Sequence, residues 1–247
     1  MTYCLGILLP AGLVLASDSR SNAGVDQVAK VRKLETFAVV GERVIAILSA
    51  GNLATTQAVV TSIREASQGA PSDAPNADLG DDLRAAKSMF EVAKIVGAML
   101  RRVIDADTHY VAPYGDVSAS FLVGGQIKGE PPRLFEVYSA GNFVEASERC
   151  PFLQVGEIKY GKPILDRTLD SGVDMQEAAK LALLSFDATL RSNLSVGLPI
   201  DMLRYKADSF VADDLLTFEE HDDYFRSLRR GYAEGLSVLV NSLQAPP

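Results

Sequence analysis

Apolar residues fill both alternating faces of residues 3–9 and 13–18, which predicts two strands covered on both sides and joined through Pro10-Ala11-Gly12. Residues 36–40 and 43–49 repeat the arrangement around Gly41-Glu42, predicting a second hairpin. Asn52 then stands where a helix cap belongs, with Thr56, Val59, Ile63 and Ala66 spaced three or four apart on an inward face. Residues 68–82 hold Gly, Pro, Ser, Asn and Asp and predict a mobile, acidic surface loop. Beyond it, Met89, Val92, Val96, Met99 and Val103 mark one stripe of a long helix that ends around residues 105–108.

Strand patterns return at residues 118–123, 133–138 and 152–155, with Gly124-Gly125 and Gly141-Asn142 read as the turns between them. Met175, Ala179, Ala182, Phe186 and Leu190, with Leu183 beside them, predict a helix over 175–190 buried on much of its circumference. Residues 200–205 and 209–211 read as edge strands. A closing helix over 217–242 follows, with Thr217 and Glu220 at capping-box spacing. Its stripe of Tyr224, Phe225, Leu228, Tyr232, Leu236 and Leu239 suits internal packing or a subunit contact equally. The order strands, helices, strands, helices, strands does not fit a repeating βαβ sheet. It predicts an α+β chain built as a four-layer αββα sandwich, two sheets face to face with helices outside both.

Composition adds bounds. With 247 residues, 47% hydrophobic and 23% charged, the chain can bury a large core, and one domain over 1–247 with a C-terminal helical extension at about 217–247 is expected. A net charge of -8 argues against a nucleic-acid surface, which needs a basic face. The apolar run from residue 5 to 16 has no Lys or Arg before it and is broken by Pro10, so it reads as a hairpin rather than a signal peptide. No stretch has the length of a membrane span. Cys4 and Cys150 read as two buried free thiols, as in a cytoplasmic protein, and no cofactor or metal motif stands out.

The chemistry begins at Thr2. Removal of Met1 would give this threonine a free α-amine within reach of its own hydroxyl, so one residue would supply both nucleophile and base. Such an amine has a reference pKa of about 7.7–8.0 and accepts a proton near neutral pH. A cation beside it lowers that pKa further, and Lys33 is the candidate. Asp18, at the end of the strand paired with the one that starts after Thr2, is the carboxylate to hold that lysine. Gly51, in the Ser49-Ala50-Gly51-Asn52 turn before the first helix, is suited to donate a backbone N–H to an oxyanion, reinforced by the positive end of that helix. Cys4 as a nucleophile is the poorer reading, because neither His109 nor His221 has an evident tie to it.

Thr2, the Ala-Ser-Asp-Ser-Arg segment ending at Arg20, Asn22-Ala23-Gly24, Lys33 and Ser49-Ala50-Gly51 together resemble the catalytic half of a proteasome β subunit. Val155-Gly156-Glu157 is similar to that family's strand end before its third helix, and residues 191–197 to its loop of auxiliary acidic and serine residues. The Met-Thr-Tyr-Cys start and the long C-terminal helix most resemble the Anbu branch of this N-terminal-nucleophile hydrolase superfamily.

The resemblance implies Thr2 as nucleophile and base, Asp18 and Lys33 as its charge partners, Gly51 as oxyanion donor, Ser192 and Ser195 as a supporting polar pair, and Asn22 with Gly51 against the substrate. It also implies a threonine peptidase acting on peptides or proteins, a homo-oligomeric ring or open spiral, and an unfoldase partner of unspecified kind. The chain departs from the family pattern at two positions. Glu157 stands where a serine is usual, making it a modulator of the amine, and Ser192 stands where an aspartate is usual. A non-catalytic scaffold subunit and an amidase for a small non-peptide amide remain the alternative readings.

Overall fold

The computed structural model describes residues 1–22, 28–68, 82–170 and 172–246, so the segment 69–81 of the expected acidic loop lies outside the described residues. The chain runs β1 (Tyr3–Leu9), β2 (Gly12–Asp18), β3 (Arg20–Asn22), β4 (Val28–Lys30), β5 (Leu34–Val39), β6 (Arg43–Gly51), α1 (Leu53–Ser67) and α2 (Met89–Val111). It continues β7 (Ala119–Ile127), β8 (Arg133–Val137), β9 (Phe143–Glu145), β10 (Phe152–Gly156), α3 (Lys162–Thr168), α4 (Met175–Ser192), β11 (Ile200–Lys206), β12 (Leu215–Phe218) and α5 (Asp223–Ser242). These form two five-stranded antiparallel sheets, ordered β10-β1-β2-β11-β12 and β5-β6-β7-β8-β9, and a small β3-β4 ribbon.

Two-sided burial explains the strand composition. In β2, Leu13 and Leu15 join a core cluster shared by both sheets, while Val14 and Ala16 join a second cluster with α3, α4 and Phe225 of α5. In β6, Val44, Ala46 and Leu48 enter the shared cluster, while Ile45 and Ile47 pack with α1 and α2 in a third. Alternating residues of β2 and of β6 thus enter different apolar clusters, and both sets must be apolar.

Asn52 caps α1 as expected, its side chain accepting from the Thr55 N–H. The Gly124-Gly125 pair is not a turn. Both residues lie inside β7, paired with β6 and β8, and a side chain at Gly124 would press on Leu15 of the facing sheet. The α2 helix runs on to Val111, past the polar Asp105, Asp107 and Thr108, which lie on its exposed or half-exposed side. No strand forms at 209–211. The chain turns there through left-handed Asp208 and Phe210, and the sheet edge is β12, which leaves β11 an interior strand.

Thr217 belongs to β12, where its hydroxyl donates to Asp201. Asp222 is the cap that opens α5. The short β3, β4, β9 and α3 had no distinct pattern. Cys4 is buried, whereas Cys150 is exposed, and both are free. The amphipathic stripe of α5 divides: Phe225 is buried and Leu228 packs beside it, but Leu236 and Leu239 are exposed. No helix among the described residues is long and apolar enough to cross a membrane.

Candidate active site

The β1-β2 hairpin pairs Cys4 with Ser17, which carries Asp18 back to the first residues of the chain. The Tyr3 N–H donates to Asp18 Oδ1 at 3.1 Å. Lys33, at the entry to β5, sends its ammonium to the same oxygen at 2.6 Å, to Thr2 Oγ1 at 2.8 Å and to the Arg20 carbonyl at 2.5 Å. An ammonium has three N–H groups, so every donor of Lys33 is committed. Lysine, aspartate and threonine are 6%, 0% and 8% exposed, a solvent-poor setting in which these charge-assisted bonds are strong.

Asp18 Oδ2 accepts from the Arg20 N–H at 3.2 Å and the Gly197 N–H at 3.1 Å. Burial pushes the Asp18 carboxyl up from its ordinary value, and the Lys33 ammonium and the Gly197 and Tyr3 amides pull against that rise. Gly197 carries no side chain because the Arg20 guanidinium lies where its Cβ would be, while that guanidinium itself donates to the Leu194 carbonyl at 2.6 Å. The structure thus adds Arg20, Tyr3 and Gly197 to the site. Arg20 stood within the motif, whereas nothing in the sequence pairs position 197 with position 18.

Gly51 is exposed at the end of β6 with φ +119, and an added Cβ would lie 2.4 Å from the Ser118 carbonyl oxygen, so a side chain is excluded there. Gly51 and Thr2 line one cleft of about 230 Å³, together with Lys33, Ser49 and residues of α1. Asn22 ends β3, paired with Val28; its side chain lies outside the described residues.

The three remaining site positions are Glu157, Ser192 and Ser195. The Glu157 N–H donates to the Thr2 carbonyl at 2.8 Å, and Gly156 before it has φ +87 with no room for a side chain against that carbonyl. The Glu157 carboxylate is buried, accepts from Asn193 Nδ2 at 2.7 Å and has Lys159 at 3.4 Å. Ser195 is half-buried and its N–H donates to Asn193 Oδ1, whereas Ser192 is exposed in the last turn of α4. Asn193, between the two serines, is the residue that meets Glu157. Among the described residues no group of three His, Cys, Asp or Glu side chains is arranged to hold a metal ion.

This fold, with Thr2, Asp18 and Lys33 gathered at the head of β1, defines a proteasome-like subunit of the N-terminal-nucleophile hydrolase class. A scan against family models found no match, and neither did a search of curated proteins. Solved structures do match. Anbu (ancestral beta-subunit) from Yersinia bercovieri is 43% identical, with 99% of this chain and 98% of that one covered and a TM-score of 0.90. Anbu from Hyphomicrobium sp. strain MC1 is 44% identical over 99% of each chain at a TM-score of 0.89. The helical assembly of the Anbu complex from Pseudomonas aeruginosa gives 43% identity over 99% and 98% of the two chains at 0.91. The chain belongs to the Anbu family.

Proposed function

We propose that the protein is a threonine-type amide hydrolase, acting on peptides, whose nucleophile is Thr2 once the Met1–Thr2 bond is cut. The observation that carries this reading is the 2.8 Å contact from Lys33 Nζ to Thr2 Oγ1. That bond fills one lone pair of the hydroxyl and stabilises negative charge as it develops on the oxygen. An ammonium with all its donors engaged has no site for the hydroxyl proton, so a separate base is required. The freed α-amine of Thr2 meets that need.

Attack of Oγ1 on the acyl carbon passes the hydroxyl proton to the amine, and the oxyanion takes the Gly51 N–H. Collapse expels the amine product, which receives that proton, and leaves an ester on Thr2. Water, deprotonated by the same amine, then cleaves the ester. Asp18 holds Lys33 in place, and Asn22 contacts the substrate. Glu157 is a modulator: a carboxylate close to the amine would favour its protonated form. Ser192 and Ser195 are assigned as supporting polar groups around that amine.

We read the two sheets and their helices as a four-layer αββα sandwich forming one domain over 1–247, placed in the cytoplasm. Self-assembly into a ring or open spiral is part of the proposal. It is supported by the helical assembly described for the Pseudomonas aeruginosa relative and by the exposed Leu236, Val238, Leu239 and Val240 on α5. An unfoldase would then be needed to feed folded substrates.

The test is covalent labelling after the mature N-terminus has been checked by intact mass. A β-lactone or vinyl sulfone should add one molecule of probe per chain at Thr2 and none to Thr2→Ala. Equal labelling of both proteins would discard the mechanism.

A further inference from the structure

Four charged side chains line the cleft beside Thr2: Arg32, Lys33, Glu35 and Arg64. Lys33 is neutralised from behind by Asp18 at 2.6 Å. Glu35 and Arg64 neutralise each other at 3.0 Å. Arg32 is left with Asp201 Oδ2 at 4.0 Å, the outer limit of an ion pair, and the other oxygen of Asp201 already accepts from Thr217. The Arg32 side chain is 52% exposed. A chain with a net charge of -8 therefore presents a weakly engaged guanidinium in the lining of this cleft.

The remaining wall is mixed: hydroxyl and amide groups of Ser21, Ser49 and Gln57 stand among the apolar side chains of Val31, Ala50, Leu53 and Val60. A large apolar side chain would contact the apolar part of that wall, but it would strip water from the Arg32 guanidinium and the hydroxyls and return no hydrogen bonds. A lysine or arginine would meet Arg32, Lys33 and Arg64 with only Glu35 to receive it, and that carboxylate is already engaged. A carboxylate fits both requirements, because a guanidinium can bind its two oxygens in parallel.

We propose that Arg32 makes this cleft selective for peptides with an acidic side chain, glutamate or aspartate, on the acyl side of the bond cut. The orientation rests on the hydrolase reading: Thr2 and Gly51 both line the cleft, so the residue bearing the attacked carbonyl is the one whose side chain enters it. Arg32 touches the substrate in this scheme and sets specificity; it takes no part in proton transfer.

Equilibrium binding separates this inference from catalysis. Full-length Thr2→Ala protein is titrated against fluorescein-labelled tetrapeptide amides that differ only in a last residue of Glu, Gln, Leu or Lys, read by anisotropy. The Glu peptide should bind about tenfold tighter than the Gln peptide, since a charge-assisted pair exceeds a neutral one by an amount of that order. Raising salt should shrink the gap. Arg32→Gln should abolish it and Arg32→Glu should favour Lys, with unfolding midpoints confirming that both variants fold. Equal or tighter binding of the Leu or Lys peptide, no measurable binding of the Glu peptide, or an unchanged preference in Arg32→Gln would overturn the assignment. Acidic preference without probe labelling of Thr2 would uphold the cleft and reject catalysis; labelling without acidic preference would do the reverse.

Discussion

The Gly197 amide donates to Asp18 Oδ2 across 179 positions of sequence, clamping the loop after α4 onto the carboxylate that holds Lys33. Asp18 thereby accepts four donors, one of them the Lys33 ammonium, which in turn spans Thr2, Asp18 and Arg20. The site is a connected charge cluster, so a loss at any member reaches the Thr2 hydroxyl.

Replacing Lys33 tests that cluster. Lys33→Met leaves a buried carboxylate without its cation and should cost about 3–5 kcal/mol of stability, read by urea unfolding. Lys33→Arg keeps the charge, but a planar fork cannot aim N–H groups at Thr2 Oγ1, Asp18 Oδ1 and the Arg20 carbonyl at once. It should cost less stability. Both variants should slow covalent labelling of Thr2 by about a thousandfold or more, as expected when one member of a catalytic unit is lost.

Glu157→Ser should speed labelling of Thr2 near neutral pH. If the carboxylate favours the protonated amine, its removal moves the midpoint of the labelling-against-pH curve down by about one unit. An unchanged midpoint, or a slower reaction with the same midpoint, would assign Glu157 to holding Asn193 in place.

Tyr3 predicts an alkaline stability slope. Burial pushes its phenol up to about 12, against hydrogen bonds with Ser185 and Gln154 that favour ionisation. Below the ordinary value of 10.0 the phenol is neutral in both states and its contribution is complete. Between 10 and 12 the unfolded chain loses the proton and the folded one keeps it, so stability should fall by about 1.4 kcal/mol per pH unit. Denaturant unfolding from pH 8 to 11.5 should show this slope reduced in Tyr3→Phe.

The cysteines should differ sharply in reactivity. Cys4 is fully buried and burial pushes its thiol up, so it stays a thiol at neutral pH. Iodoacetamide should add one group to the native protein, at Cys150, and a second only after denaturation. Native labelling at Cys4 would revive it as a nucleophile.

Much of this was legible from local pattern. Strands apolar on both faces announced two covered sheets, the Asn52 cap marked α1, and the resemblance to a proteasome β subunit, with the chemistry a terminal threonine needs, named Thr2, Asp18 and Lys33. Some local signals misled for physical reasons. Gly124-Gly125 has turn composition, but here glycine serves close approach between sheets, and Thr217 with Glu220 matches a cap pattern in a stretch that the sheet edge claims as β12.

The sequence by itself determined the alternation that makes the strands, the helix periodicity, and the residue types able to perform threonine chemistry, because these depend on neighbours a few positions apart. Only the tertiary structure decided which distant groups meet: Gly197 on Asp18, Asn193 on Glu157, Arg64 on Glu35, and Arg32 left weakly paired at the cleft. Those meetings depend on how two sheets and five helices stack, and burial, which sets charge and hydrogen-bond strength, exists only once they have.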